Sequence, residues 1–141
     1  MQLKETLPEE YEVIKLFADV LPAGGSSPAF PFGGFIINLN VSTLIHRDEE
    51  DLKLCLVLII SEDSQGGNLC FFEPGLRVGL KHGDMVAFRS EILGHFNLHF
   101  SGKRASIVLH TDKAGMEWVA DRNGWNNSSF INVGWSGGGD L

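Results

Sequence analysis

The chain has 141 residues and a mass of 15.5 kDa, with 43% hydrophobic and 21% charged side chains, the proportions of one soluble globular domain. That balance excludes a disordered, collagen-like or low-complexity chain. The formal charge is −7, from 11 basic and 18 acidic residues, which argues against sequence-independent nucleic-acid binding through bulk charge, because such binding needs several Lys or Arg on phosphates.

Residues 1–45 carry two basic and five acidic side chains, residues 46–112 seven and ten, and residues 113–141 two and three. A local basic patch is confined to 77–104, where Arg77, Lys81, Arg89, Lys103 and Arg104 face only Asp84 and Glu91. The longest apolar run, Leu54 to Ile60, is seven residues, against the ~20 a spanning helix needs. The first residues carry no apolar stretch of a secretory signal. Cys55 and Cys70 lie in apolar, strand-like stretches and read as buried thiols. An intracellular protein, nuclear or cytoplasmic, is expected.

Residues 7–21 read as an amphipathic helix. Tyr11, Ile14, Phe17 and Leu21 recur at helical spacing, Val13, Leu16 and Val20 widen the stripe, and Pro8 with Glu9 and Glu10 suits a first turn. Residues 22–31, rich in Gly, Ser and Pro, read as a linker. Strands are predicted over 35–41, 53–61, 68–73, 76–80, 85–89, 92–100 and 104–111, with 62–67 and 101–103 as turns. Such punctuation predicts a mainly β fold, a sandwich or jelly roll, and seven strands leave it one short of eight. A spare strand edge could pair with a second copy as a homodimer. Thr111-Asp112 reads as the N-cap of a short helix over 113–122, with Gly124 past its end. Trp118, Trp125 and Trp135 read as cover for a sheet face, and 136–139 as a frayed end. Residues 1–141 thus form one domain, with its core at about 33–111 and a C-terminal extension over 112–141.

Five histidines stand at 46, 82, 95, 99 and 110. His46-Arg47-Asp48 puts an imidazole and a carboxylate on one side of an extended segment. A second histidine from a distant strand would complete two imidazoles and one carboxylate, the facial triad of non-haem Fe(II) oxygenases. On 92–100, His95, Asn97 and His99 share a face, so either His95 or His99 can be that ligand; the spacing to Arg104 favours His95. On 104–111, Arg104, Ser106, Val108 and His110 share a face. A buried Arg needs a partner, and a ligand carboxylate held by the guanidinium with the Ser106 hydroxyl would be one. His82 reads as a solvated turn residue, His110 as a hydrogen-bonded core histidine, and Glu49, Glu50 and Asp51 as a solvated turn. A kinase catalytic loop is rejected: Lys53 stands where its Asn belongs, and no Asp-Phe-Gly follows.

His46-Arg47-Asp48, then His95, then Arg104-Ala105-Ser106 resembles the 2-oxoglutarate- and Fe(II)-dependent dioxygenases, over roughly residues 34–112. Gly66-Gly67-Asn68-Leu69, the stretch Gly83 to Phe88 and the His-Arg-Asp triplet are most similar to the TET and JBP nucleobase oxygenases, particularly short fungal members. The resemblance implies a double-stranded β-helix, a jelly roll, which the N-terminal helix predicted at 7–21 and the short C-terminal one at 113–122 would flank. It implies Fe(II) held by His46, Asp48 and His95, and 2-oxoglutarate anchored by Arg104 and Ser106. Asn38 and Asn40 share a strand face, and either could hydrogen-bond 2-oxoglutarate; Asn38 and Arg47 are also candidates for substrate contact, Arg47 otherwise being a surface charge. The expected activity is hydroxylation of a C–H bond, on the methyl group of a methylated base in DNA, with dioxygen as cosubstrate and ascorbate as a stimulant. The alternatives are an oxygenase of small molecules or protein side chains, and a non-catalytic jelly-roll binding module.

Overall fold

Pro8 opens the longest helix among the described residues, where its missing N–H costs nothing. The structure, a computed structural model, describes residues 2–121. A single turn, α1 (Leu3–Thr6), precedes α2 (Pro8–Val20), whose first turn holds Glu9 and Glu10. Ile14 and Ala18, four residues apart, are its buried row. The apolar stripe is narrower than its sequence suggests, since Leu16 and Val20 are 65% and 41% exposed. Two residues turn a helix by about 200°, so Leu16 lies across the axis from Ile14.

The segment 22–31 is no free linker. Ala29 is buried within it and Phe32 just after it, and both join Leu3, Ile14, Leu54 and Leu56 in one core cluster. Beyond it the described residues form seven strands, β1 (Gly34–Leu39), β2 (Cys55–Gly66), β3 (Leu69–Phe71), β4 (Leu76–Val78), β5 (Met85–Phe88), β6 (His95–Asn97) and β7 (Phe100–His110). All pairings are antiparallel, in a four-stranded sheet β1-β7-β2-β5 and a three-stranded sheet β4-β3-β6. Alternation along β2 divides the core. Leu56 packs with α2, while Cys55 joins Leu69, Phe71 and Phe88 between the two sheets.

The predicted turn at 62–67 is strand as far as residue 66, and the one at 101–103 is strand throughout. β2 runs on to Gly66 and β7 begins at Phe100, and the two pair along their length apart from a register shift between Glu62 and Gln65. Gly102, at φ +86°, and Asp63, at φ 49°, meet there as a bulge. β6 is accordingly short, and residues 98–99 connect it to β7.

The predicted seven strands are joined by a stretch not read as strand. His46 forms an isolated antiparallel bridge with His95, its N–H 3.1 Å from the His95 carbonyl and the return bond 2.9 Å. The β3 partner of His95 is Phe71, so His46 lies on the other side of β6. α3 (Ala114–Asp121) follows β7, its Ala114 N–H donating to Asp112 Oδ1 at 2.7 Å. Trp118 is 38% exposed; Gly124, Trp125, Trp135 and the tail at 136–139 lie outside the described residues. No helix among the described residues is long and apolar enough to cross a membrane.

Candidate functional site

The His46–His95 bridge places two imidazoles side by side, their ring centroids 4.3 Å apart. Two residues beyond His46, Asp48 is fixed by its N–H to the Ser90 carbonyl at 3.0 Å. Its Oδ2 lies 3.4 Å from His95 Nε2 and its Oδ1 3.8 Å from His46 Nε2. One ligand atom from each residue can be chosen so that all lie within 4.8 Å of one another. Both rings are held the same way. His46 Nδ1 lies 2.7 Å from the Leu44 carbonyl, and His95 Nδ1 2.9 Å from that of Leu93. A carbonyl only accepts, so each Nδ1 carries a proton, the arrangement that in the neutral imidazole leaves Nε2 its lone pair. Phe88 packs edge-on against His95 at 4.8 Å. His99, the rival ligand, is exposed, stacks on Phe100 and stands outside the triad. His82 is exposed and accepts the Ser61 N–H at 3.1 Å.

The triad lines a cavity of about 480 Å³ between the sheets. Ser106, Val108 and His110 line it too, as the alternation on β7 requires, and Asn38 and Asn97 add amides. Asn38 Nδ2 lies 3.4 Å from Ser106 Oγ.

Arg104 heads the same β7 row and is 7% exposed. Nη1 donates to the Leu80 carbonyl at 3.2 Å, while Nη2 has no partner. Burial with no partner charge lowers the guanidinium's pKa. The group lies on Gly67, where a Cβ would stand 3.1 Å from Nε and 3.2 Å from Cζ. A buried, half-satisfied guanidinium next to a cavity-lining residue, Leu80, suits a carboxylate ligand. The donor set of His46, Asp48 and His95 likewise suits Fe(II).

Two other predicted contacts are spent elsewhere. Asn40, at φ 51°, accepts the Arg104 N–H on its Oδ1 at 2.9 Å, and its own N–H donates to the Arg104 carbonyl. It fixes the backbone of Arg104 and does not line the cavity. Arg47 donates from Nη2 to Glu73 and from Nε to the Ile92 carbonyl.

The acidic run after Asp48 is not all solvated. Asp51 is 6% exposed; it accepts the Ser90 hydroxyl on Oδ2 at 2.5 Å and lies 3.1 Å from His110 Nδ1 through Oδ1. Asp51 and His110 both line the cavity. The clue in the sequence was His110 on the inward parity of β7. Its partner lies 59 residues away, beyond the reach of local pattern. Cys55 also lines the cavity, and burial pushes its thiol up to about 12.

No protein-family model matches the chain, and no curated protein does. Solved structures do. NgTET1, in complex with 5mC DNA, superposes on 73% of this chain with a TM-score of 0.64 at 16% identity. A protein described as a 2OG-Fe(II) oxygenase family oxidoreductase from Burkholderia pseudomallei aligns over 59% of this chain and 48% of its own, with a TM-score of 0.48 at 16% identity. The chain covers 42% of the NgTET1 chain. It is a mainly β protein sharing its fold with that structure.

Proposed function

We propose that the chain is an Fe(II)- and 2-oxoglutarate-dependent dioxygenase on a double-stranded β-helix, hydroxylating the methyl group of a methylated base in DNA. The observation that carries the reading is the convergence of His46, Asp48 and His95 on one cavity wall. In this reading the 46–48 segment beside β6 takes the place of the eighth strand.

Each residue has a task. His46 and His95 offer Nε2 lone pairs, and the Leu44 and Leu93 carbonyls hold those rings in one tautomer. Asp48 supplies the anionic oxygen. Arg104 would hold the distal carboxylate of 2-oxoglutarate with its unpaired Nη2, and Ser106 adds a hydroxyl on the same face. Asn40 sets the Arg104 backbone. Bound Fe(II), with 2-oxoglutarate and dioxygen, supplies the oxidising chemistry that exchanges a substrate hydrogen for hydroxyl. Phe88, Val57 and Leu69 keep the neighbouring wall apolar. His110, its Nδ1 bonded to Asp51, leaves Nε2 for a polar substrate edge.

Support for a nucleobase comes from the motif resemblance and from the shared fold with NgTET1, itself a complex with 5mC DNA. The test is incubation with Fe(II), 2-oxoglutarate, ascorbate and oligonucleotides carrying 5-methylcytosine, single- and double-stranded. Mass spectrometry should find one added oxygen on the methyl group, absent with His95→Ala. Unoxidised oligonucleotides from a chain that still turns 2-oxoglutarate into succinate would remove DNA as the substrate.

One observation favours a second reading. Asp48, Glu50, Asp51 and Asp112 line the cavity, with no Lys or Arg among the described lining residues. A cationic small molecule or protein side chain suits that charge. An N-methylated lysine peptide that stimulates succinate formation, where oligonucleotides do not, would select it.

A further inference from the structure

Glu73, in the β3–β4 turn, is neither a lining residue of the cavity nor a candidate ligand. Its carboxylate nevertheless joins the two segments that carry them. One oxygen, Oε1, accepts from Arg47 Nη2, and Arg47 stands between His46 and Asp48. The other, Oε2, accepts the N–H of Gly94, the residue before His95, at 2.8 Å. Arg47 closes the loop by donating from Nε to the Ile92 carbonyl at 3.1 Å. Leu93 thus lies between two anchored neighbours, and the Leu93 carbonyl is the group that orients the His95 ring. Gly94 is part of the arrangement. A Cβ there would come 3.2 Å from Glu73 Oε1 and 3.5 Å from Oε2.

We propose that Glu73 is a positioning residue for the metal centre, clamping the His46–Asp48 segment to the turn that aims His95. The inference rests on the reading of His46, Asp48 and His95 as metal ligands. As an exposed ion pair, Arg47–Glu73 would do little. Its value lies in the Gly94 and Ile92 bonds, which convert it into a brace between two ligand-bearing segments. Outer partners that orient a ligand ring commonly govern metal affinity without touching the metal.

Co(II) is the probe, titrated anaerobically into the whole chain and followed by its visible absorption. Glu73→Gln keeps the shape but offers one acceptor oxygen where two are needed. It should weaken Co(II) about tenfold while the metal-free melting temperature stays within about 3 °C. Arg47→Lys, whose single nitrogen replaces donors on two separate nitrogens, should behave alike, and the double variant should lose no more than the worse single one. Glu62→Gln, which breaks the exposed pair with Lys103, should leave Co(II) affinity unchanged. Wild-type affinity in Glu73→Gln and Arg47→Lys overturns the clamp alone. A wild-type chain that binds no Co(II) overturns the metal reading and the clamp with it.

Discussion

Arg104 shows most plainly how one side chain can be costly for folding and useful for binding. A buried guanidinium with an unpaired Nη2 is unfavourable in the free protein. Arg104→Met should therefore leave the melting temperature of the free chain unchanged or raised. It should also abolish the rise that 2-oxoglutarate gives the Co(II)-loaded wild type, a rise worth about 2.7 kcal/mol at a hundredfold excess over Kd. A melting temperature that falls steeply without ligand would mean Arg104 is paired in the folded state. Cys55 makes a pH-dependent prediction. Its thiol titrates near 12 instead of the ordinary 9.0, first because it is buried, with the Asp51 and Asp48 charges adding to the rise and a hydrogen bond with Ser90 opposing it. A raised acid keeps its proton in the folded state, so its contribution is complete below pH 9 and is lost as pH rises toward 12. The loss is on the order of 4 kcal/mol. Urea unfolding of wild type against Cys55→Ala from pH 8 to 11 checks it. The wild type should lose more stability with rising pH than the variant, and parallel curves would contradict the account.

At the scale of elements, the legible parts were those where alternation and burial agree. The run 55–60 is strand, and Ser106, Val108 and His110 of the predicted row on β7 line the cavity, with Arg104 buried at the head of that row. The triad was legible because His-x-Asp and a distant strand histidine carry chemistry in their spacing. The bulge was not. Gly66, Gly102 and Asp63 are turn residues by composition, yet positive φ serves a bulge inside a long strand pair equally well. Asp51 was hidden in an acidic run, where one buried carboxylate looks like its exposed neighbours. The bulge yields a sharp prediction. A Cβ at residue 102 would stand 2.4 Å from the Asp63 carbonyl oxygen, at φ +86°. Gly102→Ala should cost over 1 kcal/mol by the left-handed backbone alone, lowering the melting temperature by several degrees. Gly75→Ala meets nothing within 4 Å at φ +63° and should cost less. Equal melting temperatures for the two would contradict the packing at the bulge.

For the molecule as a whole, β1 is a sheet edge with no outer partner among the described strands. Ile36 and Asn38 face the cavity, so Phe35, Ile37 and Leu39 point outward, and they are 47%, 54% and 68% exposed. The homodimer expected from a spare edge would form here. Sedimentation should then show a concentration-dependent dimer that Ile37→Lys returns to monomer, and a wild-type monomer at all concentrations would contradict it. The central claim is chemical, and one anaerobic titration reaches it most directly. Fe(II) and then 2-oxoglutarate are added to wild type, His95→Ala and Arg104→Ala, and the visible charge-transfer band of the chelated complex is recorded. The account predicts a band in wild type, none in His95→Ala, and one in Arg104→Ala only at much higher 2-oxoglutarate. A folded wild-type chain with no band would contradict it.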